Sequence, residues 1–248
     1  MAGRNAREQH RQRDPRASLA LLWGEQGPPT RGPKRSLTPQ RIAAAAVELA
    51  DTDGLDALSM NKVAAGFGLS AMALYRYVPG RTELVELMVE SALAAAPDTA
   101  VAPDGDWRAA VREWARRCAR VYAAHPWLLT ATAMRRQRMG PNQLSWLEAA
   151  LAALEPTGLG AAQRHQVFLL LIGLVRNLAQ QQSDHDEEQD REWNRLTAEL
   201  LARHADRYPA LTRAVAEGAF GPDDDTDPLE FGLDRIVDAV DVLIDSRT

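Results

Sequence analysis

The stretch from Ser59 to Tyr77, SMNKVAAGFGLSAMALYRY, constrains the fold of this chain more than any other. Ser59 predicts the start of a short helix, because a serine hydroxyl at the N-cap accepts one of the backbone N–H groups that a helix leaves unpaired. Phe67-Gly68 ends that helix, since glycine tolerates the left-handed conformation that closes helices. Ser70 caps a second short helix, and Pro79-Gly80 stops it soon after. Two such helices joined by a glycine-containing turn are typical of a helix-turn-helix unit, which neighbouring helices must hold in place.

The second of these helices is predicted to run from Ala71 to about Tyr77 and has the surface of a helix that reads DNA. Small residues at its start let the backbone approach a base edge, and an alanine or methionine can touch a thymine methyl group. Arginine pairs with guanine or phosphate, and tyrosine donates to phosphate oxygens. The predicted DNA contacts are Ser59, Met60, Ser70, Ala71, Met72, Ala73, Tyr75, Arg76, Tyr77 and Arg81. The alternative for the two tyrosines is that they pack on the preceding helix.

Charge is distributed unevenly along the chain. Residues 1–36 carry eight basic and three acidic residues, a net charge of +5, which leaves −10 for the remainder of a chain whose net charge is −5. A basic segment on an acidic body suits a protein that contacts DNA at one end. Residues 1–37 are therefore expected to form a poorly ordered basic arm, in which Arg35 neutralises phosphates or enters a minor groove. One alternative is a solvated tail without a role. Another, for Ala17 to Trp23, is one short amphipathic turn that docks on the body.

Helical periodicity and helix-capping residues continue to the end of the chain, and no β pattern or internal repeat is found. The sequence predicts an all-α protein, with a helix-turn-helix domain at residues 38–80 and a helical domain at residues 81–248. Thr38-Pro39 opens the first long helix, and Asp53-Gly54 ends it. A further helix starting at Arg81 should connect the two domains, so that moving it would move the reading helix. Its N-terminal N–H groups would attract a phosphate.

The stretch from Thr38 to Glu90, TPQRIAAAAVELADTDGLDALSMNKVAAGFGLSAMALYRYVPGRTELVELMVE, resembles the TetR family of bacterial transcriptional regulators. Its most specific part is LYRYV followed by PGRTEL. Further along, HPWLL, FLLLIGLVRNLAQQ and FGLDRIVDAVDVLI resemble the C-terminal domain of the tetracycline-repressor type. The resemblance implies three N-terminal helices that bind DNA and a larger helical domain that senses a ligand and dimerises. In that class the long helix and the last helix build a four-helix bundle with the same pair of a second subunit.

The long helix from Ala161 and the last helix from Pro228 are both more apolar than one subunit of this size easily buries. The predicted dimer face therefore includes Leu170, Leu174, Leu178, Leu233, Ile236 and Val240.

A ligand pocket between helices is also expected, because tryptophans fall on several different helices and such pockets are apolar with a few polar groups. The predicted effector contacts are Trp107, Trp114, His125, Trp127, Met134, Phe168, Arg176, Asn177 and Gln180. The alternative for each tryptophan is simple core packing.

Catalytic and cofactor chemistry find no support in the sequence. It contains no GxSxG, P-loop, HExxH or paired-cysteine motif, and its single cysteine, Cys118, falls within a helical pattern. His185, between Asp184 and Asp186, is read as part of a solvated acidic loop rather than a metal site. The longest apolar run, Val167 to Val175, is too short to span a bilayer, and no signal peptide is evident. A cytoplasmic protein without cofactor or metal is expected.

These features together predict a homodimeric, sequence-specific DNA-binding transcriptional regulator, released as a repressor from a palindromic operator by a small molecule. The alternative is a small-molecule-binding helical dimer that does not read DNA. A third reading, an α-helical enzyme, has no residues to support it.

Overall fold

The computed structural model describes residues 15–25, 37–94, 105–133, 138–183, 187–218 and 227–246, and within these ranges it contains helices and no strands. The helices are α1 (Pro15–Leu22), α2 (Pro39–Asp53), α3 (Met60–Gly66), α4 (Ala71–Leu74), α5 (Arg81–Ala92), α6 (Trp107–Ala124), α7 (Leu128–Ala131), α8 (Pro141–Ala153), α9 (Ala161–Ser183), α10 (Glu187–Arg203), α11 (Pro209–Ala216) and α12 (Pro228–Asp245). Short 3-10 turns lie at Leu55–Ala57 and Glu155–Thr157. The all-α prediction is confirmed.

The helix ends near the N-terminus follow the capping residues. The Thr38 side chain accepts the N–H of Arg41 at 3.2 Å at the start of α2, and Gly54 closes that helix with φ 79°. Ser59 accepts the N–H of Lys62 at 3.2 Å at the start of α3. Gly68 follows α3 with φ 66°, a conformation that a side chain would strain. These local signals fix where the two short helices begin and where the turn lies.

The expectation of a poorly ordered arm is wrong for Pro15–Leu22. These residues form α1, which packs against α5 and buries Leu21 and Leu22 to 2% and 7% exposure. The reason lies in α5, whose residues Glu83 to Glu90 are all buried, so that this helix needs cover on several sides. Arg35 lies outside the described residues.

Two hydrophobic cores meet just after the end of α5. The first combines α1 to α5 with Trp127 and Leu128, and the second is built from α6, α8, α9 and α12. Leu93, just after α5, packs against both cores. A displacement of α5 therefore affects both cores, because close-packed interiors transmit strain.

A row of arginines on α6 pairs with acidic residues of α12. Arg112 lies 2.7 Å from Asp234, Arg116 donates to both Glu230 oxygens at 2.7 and 2.9 Å, and Arg108 pairs with Asp241. These pairs are partly exposed, so each contributes about 0–1 kcal/mol. Their main effect is to fix the register of α12 along α6.

None of the helices that the structure describes is long and apolar enough to cross a membrane.

Candidate DNA interface and effector cavity

The helix α4 is anchored by one side chain and presents others to solvent. Leu74 is fully buried in the first core, whereas Met72 is 77% exposed and Tyr75 is 45% exposed. Arg76 is also exposed and follows immediately after the helix. A methionine standing so far out of a protein surface, beside a tyrosine and an arginine, forms a contact patch rather than part of a core.

The remaining predicted residues of α4 are divided between cap, core and surface. The Ser70 hydroxyl accepts the N–H of Ala73 at 3.3 Å, so its oxygen serves the helix cap. Ala71 and Tyr77 are half-buried and pack against the first core. The alternative interpretation, packing on neighbouring helices, therefore holds for Tyr77 but not for Tyr75.

The predicted contact from Met60 is wrong. Its side chain is only 7% exposed because it belongs to the first core, on the same face of α3 as Val63 and Ala64. Ser59 is half-buried and caps α3. The exposed residues at the start of α3 are Asn61 and Lys62, which the sequence analysis did not single out.

Arg81 has a structural role that its sequence position did not reveal. Its guanidinium donates to the main-chain carbonyls of Leu55 at 3.0 Å and Leu58 at 3.4 Å. These bonds fasten the start of α5 to the 3-10 turn that leads into α3. The phosphate contact predicted for Arg81 stays a prediction.

A cavity of about 430 Å³ lies in the C-terminal part of the molecule, bounded by α5, α6, α7, α8 and α9. It is lined by Leu93, Trp114, Cys118, Val121, Tyr122, Leu128, Thr132, Ala133, Met139, Gln143, Trp146, Leu147, Phe168, Ile172 and Arg176. Its size lies within the range of small-molecule sites.

Aromatic rings form one part of this cavity. Trp114 meets Trp146 and Phe168 edge to face, with ring centroids 6.2 and 5.9 Å apart. The indole N–H groups are occupied, since Trp114 donates to the carbonyl of Trp146 at 2.9 Å and Trp146 donates to that of Leu93 at 3.1 Å. Burial raises the pKa of the Cys118 thiol, which keeps it neutral. This wall therefore offers apolar surface to a ligand.

Arg176 forms the polar part of the cavity. It donates to the Tyr122 hydroxyl at 2.9 Å, to the Leu129 carbonyl at 3.1 Å and to the Thr132 hydroxyl. Its guanidinium also lies 5.6 Å from the centroid of the Tyr122 ring. Tyr122, near the end of α6, and Thr132, just after α7, were missed in the sequence.

The structure brings three of the nine predicted effector residues to the cavity: Trp114, Phe168 and Arg176. Asn177 is exposed because it follows Arg176 directly, and neighbours on a helix with 3.6 residues per turn point in different directions. Gln180 lies one turn beyond Arg176, past the end of the cavity lining, and is exposed as well. Trp107 is buried in the second core away from the cavity lining. Met134 lies outside the described residues.

His125 and Trp127 are also wrong as effector contacts. Both rings hydrogen-bond to one oxygen of Asp51, His125 at 2.8 Å and Trp127 at 2.7 Å. The start of α7 is thereby tied to the end of α2. The two residues therefore connect the domains instead of lining the cavity.

Two buried carboxylates join α5 to the segment that opens α8. Glu86 accepts from Arg138 at 2.9 and 3.2 Å. Glu90 accepts the backbone N–H groups of Asn142 at 2.8 Å and Gln143 at 3.2 Å, in the first turn of α8. Burial is the main cause that raises the pKa of both carboxyl groups.

Glycine is required at position 140, where the segment that opens α8 meets Glu90 of α5. A Cβ atom on Gly140 would lie 2.3 Å from the Glu90 carboxyl carbon, so no larger residue fits without displacing the carboxylate. Sequence reasoning did not find this junction, because glutamates on a surface-like helix pattern are normally exposed. The sequence feature that could have indicated their burial is the apolar character of the α5 positions around Glu86 and Glu90.

The structure divides the predicted dimer-face residues into buried and exposed ones. Leu233 and Val240 are 0% and 2% exposed and pack inside the second core, so they are not available to a partner. Leu170 is 59% exposed, while Leu174, Leu178 and Ile236 are half-buried. The large exposed apolar residues of α9 and α12 are Leu169, Leu170, Phe231, Val242 and Leu243. The helix α12 is apolar on two faces. The periodicity of the sequence led to residues of the inner face being predicted as the dimer face.

Among the described residues, no group of three or more histidine, cysteine, aspartate or glutamate side chains is arranged to hold a metal ion. His185 and its two aspartate neighbours lie outside these residues.

Comparison with known proteins gives both halves of the chain the same affiliation. The family described as "Bacterial regulatory proteins, tetR family" matches residues 42–88, and "Tetracyclin repressor-like, C-terminal domain" matches residues 99–244. The HTH-type transcriptional repressor DrrR1 of Streptomyces coeruleorubidus is 37% identical over 238 residues, which cover 93% of this chain and 87% of that protein.

Solved structures agree with this affiliation. Apo ActR from Streptomyces coelicolor is 26% identical and superposes with a TM-score of 0.74, covering 88% of this chain and all of that one. ActR in complex with actinorhodin is 29% identical, with a TM-score of 0.67 over 83% of this chain and 96% of that one. The chain therefore belongs to the TetR family, and it is a ligand-responsive, DNA-binding transcriptional regulator.

Proposed function

We propose that the protein is a homodimeric repressor that leaves a palindromic operator when an aromatic small molecule enters the cavity beside α8. The observation that carries this proposal is the pair of buried carboxylates, Glu86 and Glu90, which join the cavity's α8 side to α5. That junction connects the cavity to the helix-turn-helix through a single helix. Among the relatives, ActR is a protein whose structure contains actinorhodin within a similar fold.

The path of the signal follows contacts that the structure describes. A ligand between α8 and α9 contacts Gln143 and Trp146, which lie in the helix whose first turn is held by Glu90. A shift of α8 therefore pulls on α5. At its other end α5 is fastened by Arg81 to the turn before α3, so its tilt reorients α3 and α4. The ligand has to bind the DNA-incompetent arrangement better than the competent one, since equal affinity shifts no population.

Dimerisation is proposed from the exposed apolar residues of α9 and α12. The two helices pack side by side, with Leu174 directly over Gly232, where a Cβ atom would lie only 2.6 Å from the leucine methyl. Their outer faces carry Leu170 and Phe231 at 59% and 56% exposure. Exposed leucine and phenylalanine side chains on two helices that pack together indicate an association site. A symmetric pair would place its two α4 helices one duplex turn apart, about 34–36 Å, or a multiple of that spacing.

Selection of bound fragments from the source genome, followed by fluorescence anisotropy on the selected duplex, tests this function. Arg76→Ala should weaken binding by about 1–3 kcal/mol and relax preference at one base position in each half-site. Arg207→Ala is the matched control, because Arg207 is equally an exposed arginine but lies beyond α10. Failure to enrich any fragment, in a protein that still binds small molecules, would favour the dimer that does not read DNA.

A further inference from the structure

The described lining of the cavity combines an aromatic region with one cationic group, Arg176, and we infer that the ligand carries an acidic oxygen, a carboxylate or phenolate, that pairs with Arg176. The inference rests on the proposed role of this cavity as the effector site. It goes beyond that role because it fixes the charge of the ligand and the direction in which the ligand lies.

The charge of Arg176 is not balanced by any described residue around it. Its three hydrogen bonds go to a phenol, an alcohol and a main-chain carbonyl, all of which are neutral. None of the other described residues lining the cavity is charged. Arginine stays protonated in proteins, so this positive charge faces the cavity without a counter-ion from the described part of the chain.

Further hydrogen-bond donors remain for a ligand. A guanidinium has five N–H groups, and the bonds to described residues use three of them. The Thr132 hydroxyl donates to the Leu128 carbonyl at 2.6 Å, so Thr132 holds Arg176 in place and is itself satisfied. The Tyr122 hydroxyl accepts from Arg176, which leaves its proton available. An acidic oxygen at this point can accept from both Arg176 and Tyr122.

The aromatic and cationic ends of the cavity are separated along α9. Phe168, Ile172 and Arg176 follow one another at intervals of four residues, so they lie on the same helix face. Eight residues of helix span roughly 12 Å. Trp114 contacts Phe168 at one end of the cavity, and Tyr122 and Thr132 contact Arg176 at the other end. A ligand that fits has a flat apolar ring system at one end and an acidic group at the other.

Discrimination follows from the same arrangement. A ligand anion replaces lost hydration with charge-assisted bonds, which are stronger than bonds between neutral groups. A neutral ligand leaves the guanidinium uncompensated, and an amine brings a like charge close to it. Acids are therefore favoured, neutral isosteres are weaker, and amines are rejected.

The experiment compares three probes of one shape: anthracene-2-carboxylate, anthracene-2-carboxamide and 2-(aminomethyl)anthracene. Each is titrated by calorimetry into the full-length protein without DNA, at pH 7 and low salt. The carboxylate should bind about 10- to 100-fold more tightly than the carboxamide, as expected for a hydrogen-bonded charge. The amine should bind most weakly.

Variants assign the preference to one side chain. Arg176→Met keeps the length of the side chain without its charge and should bind the carboxylate and the carboxamide alike. Arg176→Lys should recover part of the acid preference, and Arg207→Met should behave as the wild type. Because Arg176 also supports α7, far-ultraviolet circular dichroism and melting accompany each variant. If Arg176→Met does not fold, Tyr122→Phe, which removes one donor, should still lower the preference for the acid.

Equal binding of the carboxylate and carboxamide to the wild-type protein would overturn the inference, as would absence of binding by all three probes. An acid preference that survives in Arg176→Met would also overturn it. The proposed function is judged separately, by fragment selection and the Arg76→Ala comparison. Equal affinity of the carboxylate and the carboxamide, with release of the selected duplex by both, would leave that function standing while the inference fails.

Discussion

At the scale of single residues, exposure separates the side chains of the helix-turn-helix that are free to meet DNA from those that hold the unit together. Leu74 and Met60 are core residues, while Met72 and Tyr75 stand in solvent. Sequence reasoning located the helix α4 but overestimated how many of its residues face outward. A helix of four residues has few outward positions, and the turns after it bring Tyr77 back onto the core.

Tyr75→Phe removes only a hydroxyl group from an exposed ring. We expect it to weaken binding to every duplex alike, by about 0.5–1.5 kcal/mol, because the hydroxyl donates to a phosphate rather than to a base. Anisotropy titrations on the selected duplex and on a scrambled one measure this effect. A loss of affinity confined to the selected duplex would contradict the phosphate assignment. A large fall in melting temperature would show that the hydroxyl stabilises the folded protein instead.

At the scale of elements, the sequence predicts where helices begin and end better than it predicts which face each one buries. Thr38, Ser59 and Ser70 act as caps within a few residues, so their signal is local. The inner face of α12 and the burial of Glu90 depend on partners far away in sequence. No local pattern encodes such partners, which is why these features appear only in the structure.

The junction between α5 and α8 gives a pH-dependent prediction. The pKa of Glu90 is raised above its ordinary value of 4.5 by burial. The folded state therefore binds the proton more tightly than the unfolded state does. The stability that this proton contributes is fully present below the ordinary pKa, and it is lost as the pH rises through the pKa of the folded state. Glu90→Gln does not titrate, so its free energy of unfolding relative to the wild type should increase from pH 4.5 to pH 8.

Urea unfolding at several pH values between these limits measures that difference, in which all other titrating groups cancel. Glu90→Ala is the companion variant, since it removes the acceptor of the two N–H groups as well as the charge. It should be about 1–3 kcal/mol less stable than Glu90→Gln at every pH, because glutamine keeps one oxygen that accepts a backbone N–H and alanine keeps none. A Glu90→Gln difference that falls with rising pH would contradict the assignment.

At the scale of the whole molecule, two cores meet at α5, and the outer faces of α9 and α12 remain apolar. Leu170→Asp places a charge in the proposed dimer face. It should convert the protein to a monomer at micromolar concentration, as measured by sedimentation velocity, because an unpaired charge is costly in a buried interface. Leu19→Asp, at an exposed leucine of α1, is the control and should leave the oligomer unchanged. A Leu170→Asp protein with the wild-type mass would remove α9 from the interface.

The resemblance to a known family predicted the two-domain architecture, and the comparisons confirm the family. The lining of the cavity was predicted only in part, since the residues singled out in the sequence include Trp114, Phe168 and Arg176 but not Tyr122 and Thr132. A cavity forms where several helices fail to fill the space between them. Its lining therefore depends on the relative placement of α6, α8 and α9, which periodicity along a single helix does not encode.

The mass and footprint of the protein on its selected duplex test the central claim most directly. Sedimentation equilibrium should give an even number of chains per duplex, and hydroxyl-radical cleavage should show paired protected sites separated by one helical turn or a multiple of it. Both features should be absent at the same concentration for Arg76→Ala and for Leu170→Asp. A single chain bound at full affinity to one protected site would contradict the claim.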